Sequence, residues 1–182
     1  MPAIDVMITC CGEENHLILN VVRAACESDY PKDRLQVILL DDGHSKELED
    51  AISRLQSTKY SYVYYNAREQ PEKPDYKAGN LNAGFKFSAG LRTPPAPFVA
   101  GLDTDMVVKP GWLRSMIPHL IRDEKLGMTN PPQVSRNHAQ CRCAYAECLP
   151  VLLQHPPQRS CTTGSGLLLF YHRAYTRRTQ CG

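Results

Sequence analysis

Tryptophan occurs once in this chain, at Trp112, and phenylalanine only four times. No apolar run approaches the roughly 20 residues of a membrane-spanning helix. The start, Met1 to Val6, has no basic region followed by an apolar stretch; it enters a strand-like pattern at once, so no signal peptide is expected. Charge of one sign is not in excess. The 21 Lys and Arg against 19 Asp and Glu leave a formal net charge of +2, which gives no nucleic-acid or membrane-surface signal. Paired Cys-x-x-Cys spacing is missing as well. The eight cysteines are Cys10, Cys11, Cys26, Cys141, Cys143, Cys148, Cys161 and Cys181. Without a secretory leader they are expected as buried or free thiols, not as disulfides or a zinc site. There is no internal repeat, low-complexity tract or linker, and 182 residues suit one domain, residues 1–182. The last absence is an acidic one: no Asp or Glu follows Glu147.

What is present alternates. Ile4 to Thr9 reads as a strand, and Asn15 to Ser28 as a helix with Leu17, Val21, Val22 and Ala25 at helical spacing and Asn15 as its cap. Leu35 to Leu40 is a near-continuous apolar strand, followed by a helix from His44 to Ser57. Tyr62 to Tyr65 is a third strand. Lys77 opens a helix that runs to about Ala89. Phe98 to Leu102 is an apolar strand, and Gly111 to Asp123 a helix in which Pro118 predicts a kink or an early stop. Leu126 to Asn130 and Leu167 to Tyr171 are the remaining strands. Alternating strands and helices predict an α/β domain with a mainly parallel sheet. Ligands of such sheets bind beyond the carboxyl ends of the strands.

Those ends carry acids. Glu13 and Glu14 follow the first strand, Asp41 and Asp42 the second, and Asp103 and Asp105 end the strand that begins at Phe98. A buried strand ending in carboxylates needs counter-charge, because unpaired buried charge is costly. A hard divalent cation shared with phosphate oxygens supplies it. Each feature also has a plainer reading. An isolated Asp-x-Asp is equally a turn cap beside a solvated acid. Asp41-Asp42-Gly43 is equally a turn and helix cap, and Lys77 an exposed lysine. A lysine at a helix N-terminus opposes the helix dipole, which favours an anionic ligand there.

Asp41-Asp42-Gly43, Lys77-Ala-Gly-Asn80 and Asp103-Thr-Asp105, in that order, resemble the motifs of a family 2 glycosyltransferase. The fold that this implies is GT-A, a Rossmann-like α/β domain, and the branch is the cellulose-synthase-like and hyaluronan-synthase-like one. The resemblance runs from the first strand to Gly164-Ser-Gly166. It implies binding of a nucleotide-sugar, a UDP-sugar, through Mg2+ or Mn2+, for inverting transfer of a hexosyl unit to a polysaccharide or other acceptor. Glu13 would touch the nucleoside, although Thr9-Cys-Cys-Gly-Glu13 otherwise departs from the family's Pro-x-Tyr-Asn-Glu-like pattern. Asp41 or Asp42 would accept from uracil or ribose, with Asp41 preferred because it lies nearer the strand. Lys77 would pair with the diphosphate, Gly79 would let backbone approach that phosphate, Asn80 and Asp103 would belong to the same nucleotide-sugar-binding set, and Asp103 and Asp105 would bind the metal. Gly164, Ser165 and Gly166 would line the acceptor side, with His172-Arg173 only partly matching the Arg-Arg-like pair expected beyond them.

The resemblance also implies a general base, the Asp of a Thr-Glu-Asp motif, together with a Gln-x-x-Arg-Trp motif and membrane helices. None of these is in the sequence. The expectation is a donor-binding portion that is C-terminally incomplete or reduced, with transfer slow or absent. Its last strand would then lie at an uncovered edge and favour self-association. The chain as it stands would be cytoplasmic, and a full-length relative a membrane protein with this domain facing the cytoplasm. Two alternatives stand beside this reading. One is a non-catalytic nucleotide-sugar-binding or interaction domain. The other is a haloacid-dehalogenase-like phosphatase, with Asp103 as nucleophile and Asp105 as acid/base.

Overall fold

The structure, a computed structural model, describes residues 1–69, 76–123 and 125–130, and the backbone of 169–172. The elements are β1 (Ile4–Cys10), α1 (Asn15–Cys26), β2 (Leu35–Asp41), α2 (Lys46–Thr58), β3 (Val63–Asn66), α3 (Tyr76–Leu91), β4 (Phe98–Asp103), α4 (Trp112–Arg122), β5 (Met128–Thr129) and β6 (Leu169–His172). They form one six-stranded sheet in the order β3-β2-β1-β4-β6-β5. The first four strands in that order are mutually parallel, while β6 runs antiparallel to both β4 and β5. The mainly parallel α/β architecture expected from the alternation is what the chain adopts.

All seven residues of β1 and of β2 are buried, as a central parallel strand with both faces covered requires. The pleat divides them between two layers. Ile4, Val6 and Ile8 of β1 join Leu35, Val37 and Leu39 of β2 and Val21, Val22, Leu48, Ile52, Leu113 and Ile117 of the helices in one cluster. Met7, Ile38, Leu40 and Val99 face the other way, against Leu81, Phe85 and Leu91 of α3. Gly84 lets α3 come this close. A Cβ there would stand 2.5 Å from Leu40 Cδ1 and 3.2 Å from Met7 Sδ.

Four local expectations are corrected. Asn15 does not cap α1: Glu14 holds the cap position without a side-chain bond, and the Asn15 amide instead donates to Glu47 at 2.8 Å. Pro118 does not stop α4, which continues to Arg122. One missing N–H is outweighed by the packing of Met116, Ile117 and Leu120 into the core. The second strand and the strand before Asp103 extend one residue further than read, so Asp41 and Asp103 are themselves strand residues. Finally, β6 is not an uncovered edge. It is paired on both sides, to β4 and to β5, and the expectation of self-association through it loses its basis.

The start of α4 is fixed by polar contacts. Trp112 Nε1 donates to Ser28 Oγ at 2.6 Å, and that hydroxyl donates to the carbonyl of Ala25 at 2.7 Å. Arg114 Nε lies 2.9 Å from Asp29 Oδ2. These contacts return the chain to the end of α1 after the loop that leaves β4.

Candidate functional site

The carboxyl ends of β2, β1 and β4 lie side by side. In register, Cys10 pairs with Asp41 and Thr9 with Asp103. The two aspartates therefore flank the end of the central strand, at the edge where parallel sheets present ligands.

Asp41 is 1% exposed. Its Oδ1 accepts from the Gly43 N–H at 2.7 Å, and its Oδ2 accepts from the Ser45 N–H and from the Tyr65 hydroxyl, both at 2.8 Å. The turn it closes holds His44 at a φ of 54° and is tight for a side chain at residue 43. A Cβ there would lie 3.1 Å from Asp41 Oδ1 and 3.2 Å from the Gly12 nitrogen. Burial, and then the bond to this carboxylate, push the Tyr65 phenol above its ordinary 10.0. Burial, with the Asp41 charge second, raises the Cys10 thiol above its ordinary 9.0. Asp41 is the aspartate that the sequence favours over Asp42 as acceptor for uracil or ribose. The oxygens of Asp41 are turned to its own loop, and water scarcely reaches them.

Asp42 meets Arg68 in a two-pronged pair, Nε to Oδ1 at 2.8 Å and Nη2 to Oδ2 at 3.1 Å. Only 11% of the arginine side chain and 10% of the carboxylate side chain are exposed. Arg68 Nη2 also donates to the carbonyl of Tyr76 at 3.1 Å, which ties the exit of β3 to the start of α3. Arg68 was not among the expected residues. Its signal was its position: it lies two residues beyond the end of β3, and β3 exits at the same edge as β2. Counting acids at the strand ends passes over a cation there.

Lys77, the second residue of α3, forms an ion pair with Asp103 Oδ1. Thr9 Oγ1 lies 3.4 Å from the same oxygen. Lys77 is exposed and the Asp103 side chain is mostly covered. Asp105 is exposed on the turn that follows, which the Met106 N–H closes by donating to the Asp103 carbonyl at 3.1 Å. Glu13 is exposed, and its Oε2 accepts from the Cys11 N–H at 2.6 Å across a turn in which Gly12 has a φ of 86°.

Two expected residues are turned elsewhere. Asn80 is 2% exposed and donates to the Leu40 carbonyl at 3.0 Å, fastening α3 to β2. Gly79 is buried in the same helical turn. Gly164, Ser165 and Gly166 lie outside the described residues.

Among the described residues, no group of three or more His, Cys, Asp and Glu side chains converges into a metal site. Asp103 and Asp105 are two hard oxygen donors at a partly open edge. That donor set suits a cation that a ligand's phosphates help to coordinate, as Mg2+ commonly is.

The glycosyl transferase family 2 model matches residues 5–173, and the chain belongs to that family. It is 29% identical over 131 residues to cellulose synthase 2 of Novacetimonas hansenii. It is 28% identical over 131 residues to the UDP-forming cellulose synthase catalytic subunit of Pseudomonas fluorescens strain SBW25. Each match covers 72% of this chain, but only 7% and 16% of those proteins. The chain therefore spans less than a fifth of the length of these curated relatives. The fold is also that of the Pyrobaculum calidifontis mannosyltransferase PcManGT, solved in complex with GDP-Man and Mn2+. That match has a TM-score of 0.57 and 21% identity, and covers 70% of this chain and 34% of that one. Staphylococcus aureus TarS 1-349 matches with a TM-score of 0.53 at 13% identity, over 69% of this chain and 34% of that one. The fold is GT-A, as expected, and within glycosyltransferase family 2 the chain is cellulose-synthase-like. No described helix is long and apolar enough to cross a membrane.

Proposed function

We propose that this chain binds a UDP-sugar together with Mg2+ or Mn2+, for inverting transfer of a hexosyl unit to a polysaccharide acceptor. The carrying observation is the juxtaposition of a lysine with Asp103 at the end of β4, beside the Asp42 and Arg68 pair at the end of β2. Related proteins support the donor class: one curated relative is a UDP-forming cellulose synthase subunit, and one fold neighbour was solved with GDP-Man and Mn2+.

In this reading Asp42 accepts from the base or ribose through the lone pairs that the pair leaves, and the Arg68 fork holds its carboxylate in place. Glu13 lies on the nucleoside side. Lys77 binds a diphosphate oxygen as a compact cation. Asp103 and Asp105 hold the metal, which when bound offsets charge on the departing diphosphate. Asp41, Gly79 and Asn80 act one step back, holding the loop and helix that carry these groups. Gly164, Ser165 and Gly166 are kept as acceptor-side residues on the resemblance alone. The described residues provide no assigned general base, and no Asp or Glu follows Glu147. Transfer by these 182 residues alone is therefore proposed to be slow or absent, and donor binding to be their measurable activity. The family match disfavours the phosphatase alternative.

Isothermal titration with UDP and Mn2+ tests the proposal. Wild-type chain gives binding heat, and Asp103→Ala and Asp105→Ala each weaken it at least roughly tenfold, the loss expected when a direct cation ligand is removed. Absence of heat with wild type, or unchanged affinity in both variants, overturns it.

A further inference from the structure

We propose that Lys77 is a built-in occupant of the cation site, which Asp103 must exchange before a metal can bind. This rests on the reading of Asp103 and Asp105 as that site. Lys77 sits on Asp103 Oδ1, where Thr9 also approaches. Asp103 is mostly covered, so its negative charge is poorly served by water and well served by the ammonium. Lys77 is exposed and sits on a four-carbon stem in the first turn of α3, where the helix dipole does not favour it. It is held there by the carboxylate and is free to move along an open edge.

A divalent ion arriving alone must displace this ammonium and leave it without a partner. A nucleoside diphosphate changes the exchange, because its phosphate oxygens give Lys77 a new anion and give the metal further ligands. Cation and diphosphate therefore bind as a coupled pair, and by linkage each raises the other's affinity by the same factor. No bond is made or broken beyond the ion pairs. Lys77 acts as a positioning residue that decides when the metal site opens, in addition to any contact it makes with the diphosphate. The expectation specific to this contact concerns Mn2+ alone: without Lys77, the metal should bind more tightly than it does to wild type.

The test is Mn2+ binding by electron paramagnetic resonance, at about physiological ionic strength so that distant charges are screened, with and without UDP. Lys77→Met is expected to bind Mn2+ alone about tenfold more tightly than wild type, the scale expected from removing a contacting unit charge. The gain in Mn2+ affinity produced by UDP is expected to shrink. Lys77→Arg keeps the cation and is expected to stay near wild type for Mn2+ alone. Lys109→Met removes an exposed charge from the β4–α4 loop that carries Asp105 and controls for general field effects. Unchanged or weaker Mn2+ affinity in Lys77→Met overturns the proposal, as does an equal gain in Lys109→Met. If UDP-dependent Mn2+ binding is present and needs Asp103, either result removes this inference alone. If Mn2+ binds no variant even with UDP, the cation-site reading falls with it. Far-UV circular dichroism confirms that each variant is folded.

Discussion

The Tyr65 hydroxyl on β3 lies 2.8 Å from Asp41 Oδ2 at the end of β2. The bond couples a neighbouring strand to the turn that presents Asp42, and it makes the stability of that turn depend on a group with no direct part in ligand binding. Tyr65→Phe is expected to cost about 1–2 kcal/mol, the range for a bond to a charged acceptor left short of one donor. Urea denaturation reads this as a lower midpoint with unchanged slope. Asp41→Asn is expected to cost more, because one carboxylate serves Gly43, Ser45 and Tyr65 together. A midpoint unchanged in both variants would mean that the turn is held by its backbone alone.

Alkaline pH should loosen the fold. Cys10, Cys26, Tyr62 and Tyr65 all have raised values, chiefly through burial; Cys26 is pushed up to about 12 from 9.0, and Tyr62 to about 12 from 10.0. The unfolded chain releases these protons first, so the native state holds more protons between the two sets of values. The stability from these groups is whole below about pH 9 and is lost as pH rises from there through the folded-state values. Urea midpoints should change little between about pH 8 and about pH 9 and fall from there to about pH 10.5, and Cys10→Ala should flatten the early part of that decline.

The two halves of the site should separate by ligand. Arg68→Met is expected to weaken uridine, which has no phosphate, by about tenfold, and Arg68→Lys to do much the same because the forked geometry is lost. Asp105→Ala should leave uridine binding intact while weakening UDP with Mn2+. Titration calorimetry with the two ligands gives the comparison. Equal losses for both ligands in both variants would contradict the assignment of a nucleoside end and a cation end.

Gly84 tests the packing of α3. Gly84→Val places atoms where Leu40 and Met7 already stand, and overpacking of this kind costs about 1–3 kcal/mol. A lower thermal midpoint is expected, together with weaker UDP binding, because α3 carries Lys77. Gly90, where a Cβ meets nothing within 4 Å, provides the contrasting position, and Gly90→Ala should be neutral or mildly stabilising.

The sheet was legible because its strands are short apolar runs separated by helical spacing, and parallel strands need crossovers of that kind. Asp103 and Lys77 were legible as a pair of motifs, and they do meet. Arg68 was not. Nothing in the sequence around Ala67-Arg68-Glu69 distinguishes that arginine from an exposed loop residue until β3 takes its place beside β2. What Asp41 does in the fold was not legible either: a residue inside the strand end turns its carboxylate to the nearest orphan N–H groups, here those of Gly43 and Ser45.

By itself the sequence determined the α/β class, the order of the elements, the family and the edge of the sheet at which the chemistry gathers. These follow from periodicity and from local motifs, which short-range forces impose. Tertiary structure decided which of two adjacent aspartates closes the loop and which faces Arg68, placed β6 between β4 and β5, and set Lys77 on Asp103. Each of those depends on a partner between 24 and about 70 residues away along the chain, Tyr65 for Asp41, Arg68 for Asp42, Lys77 for Asp103 and β4 for β6, brought into contact only when the strands pack.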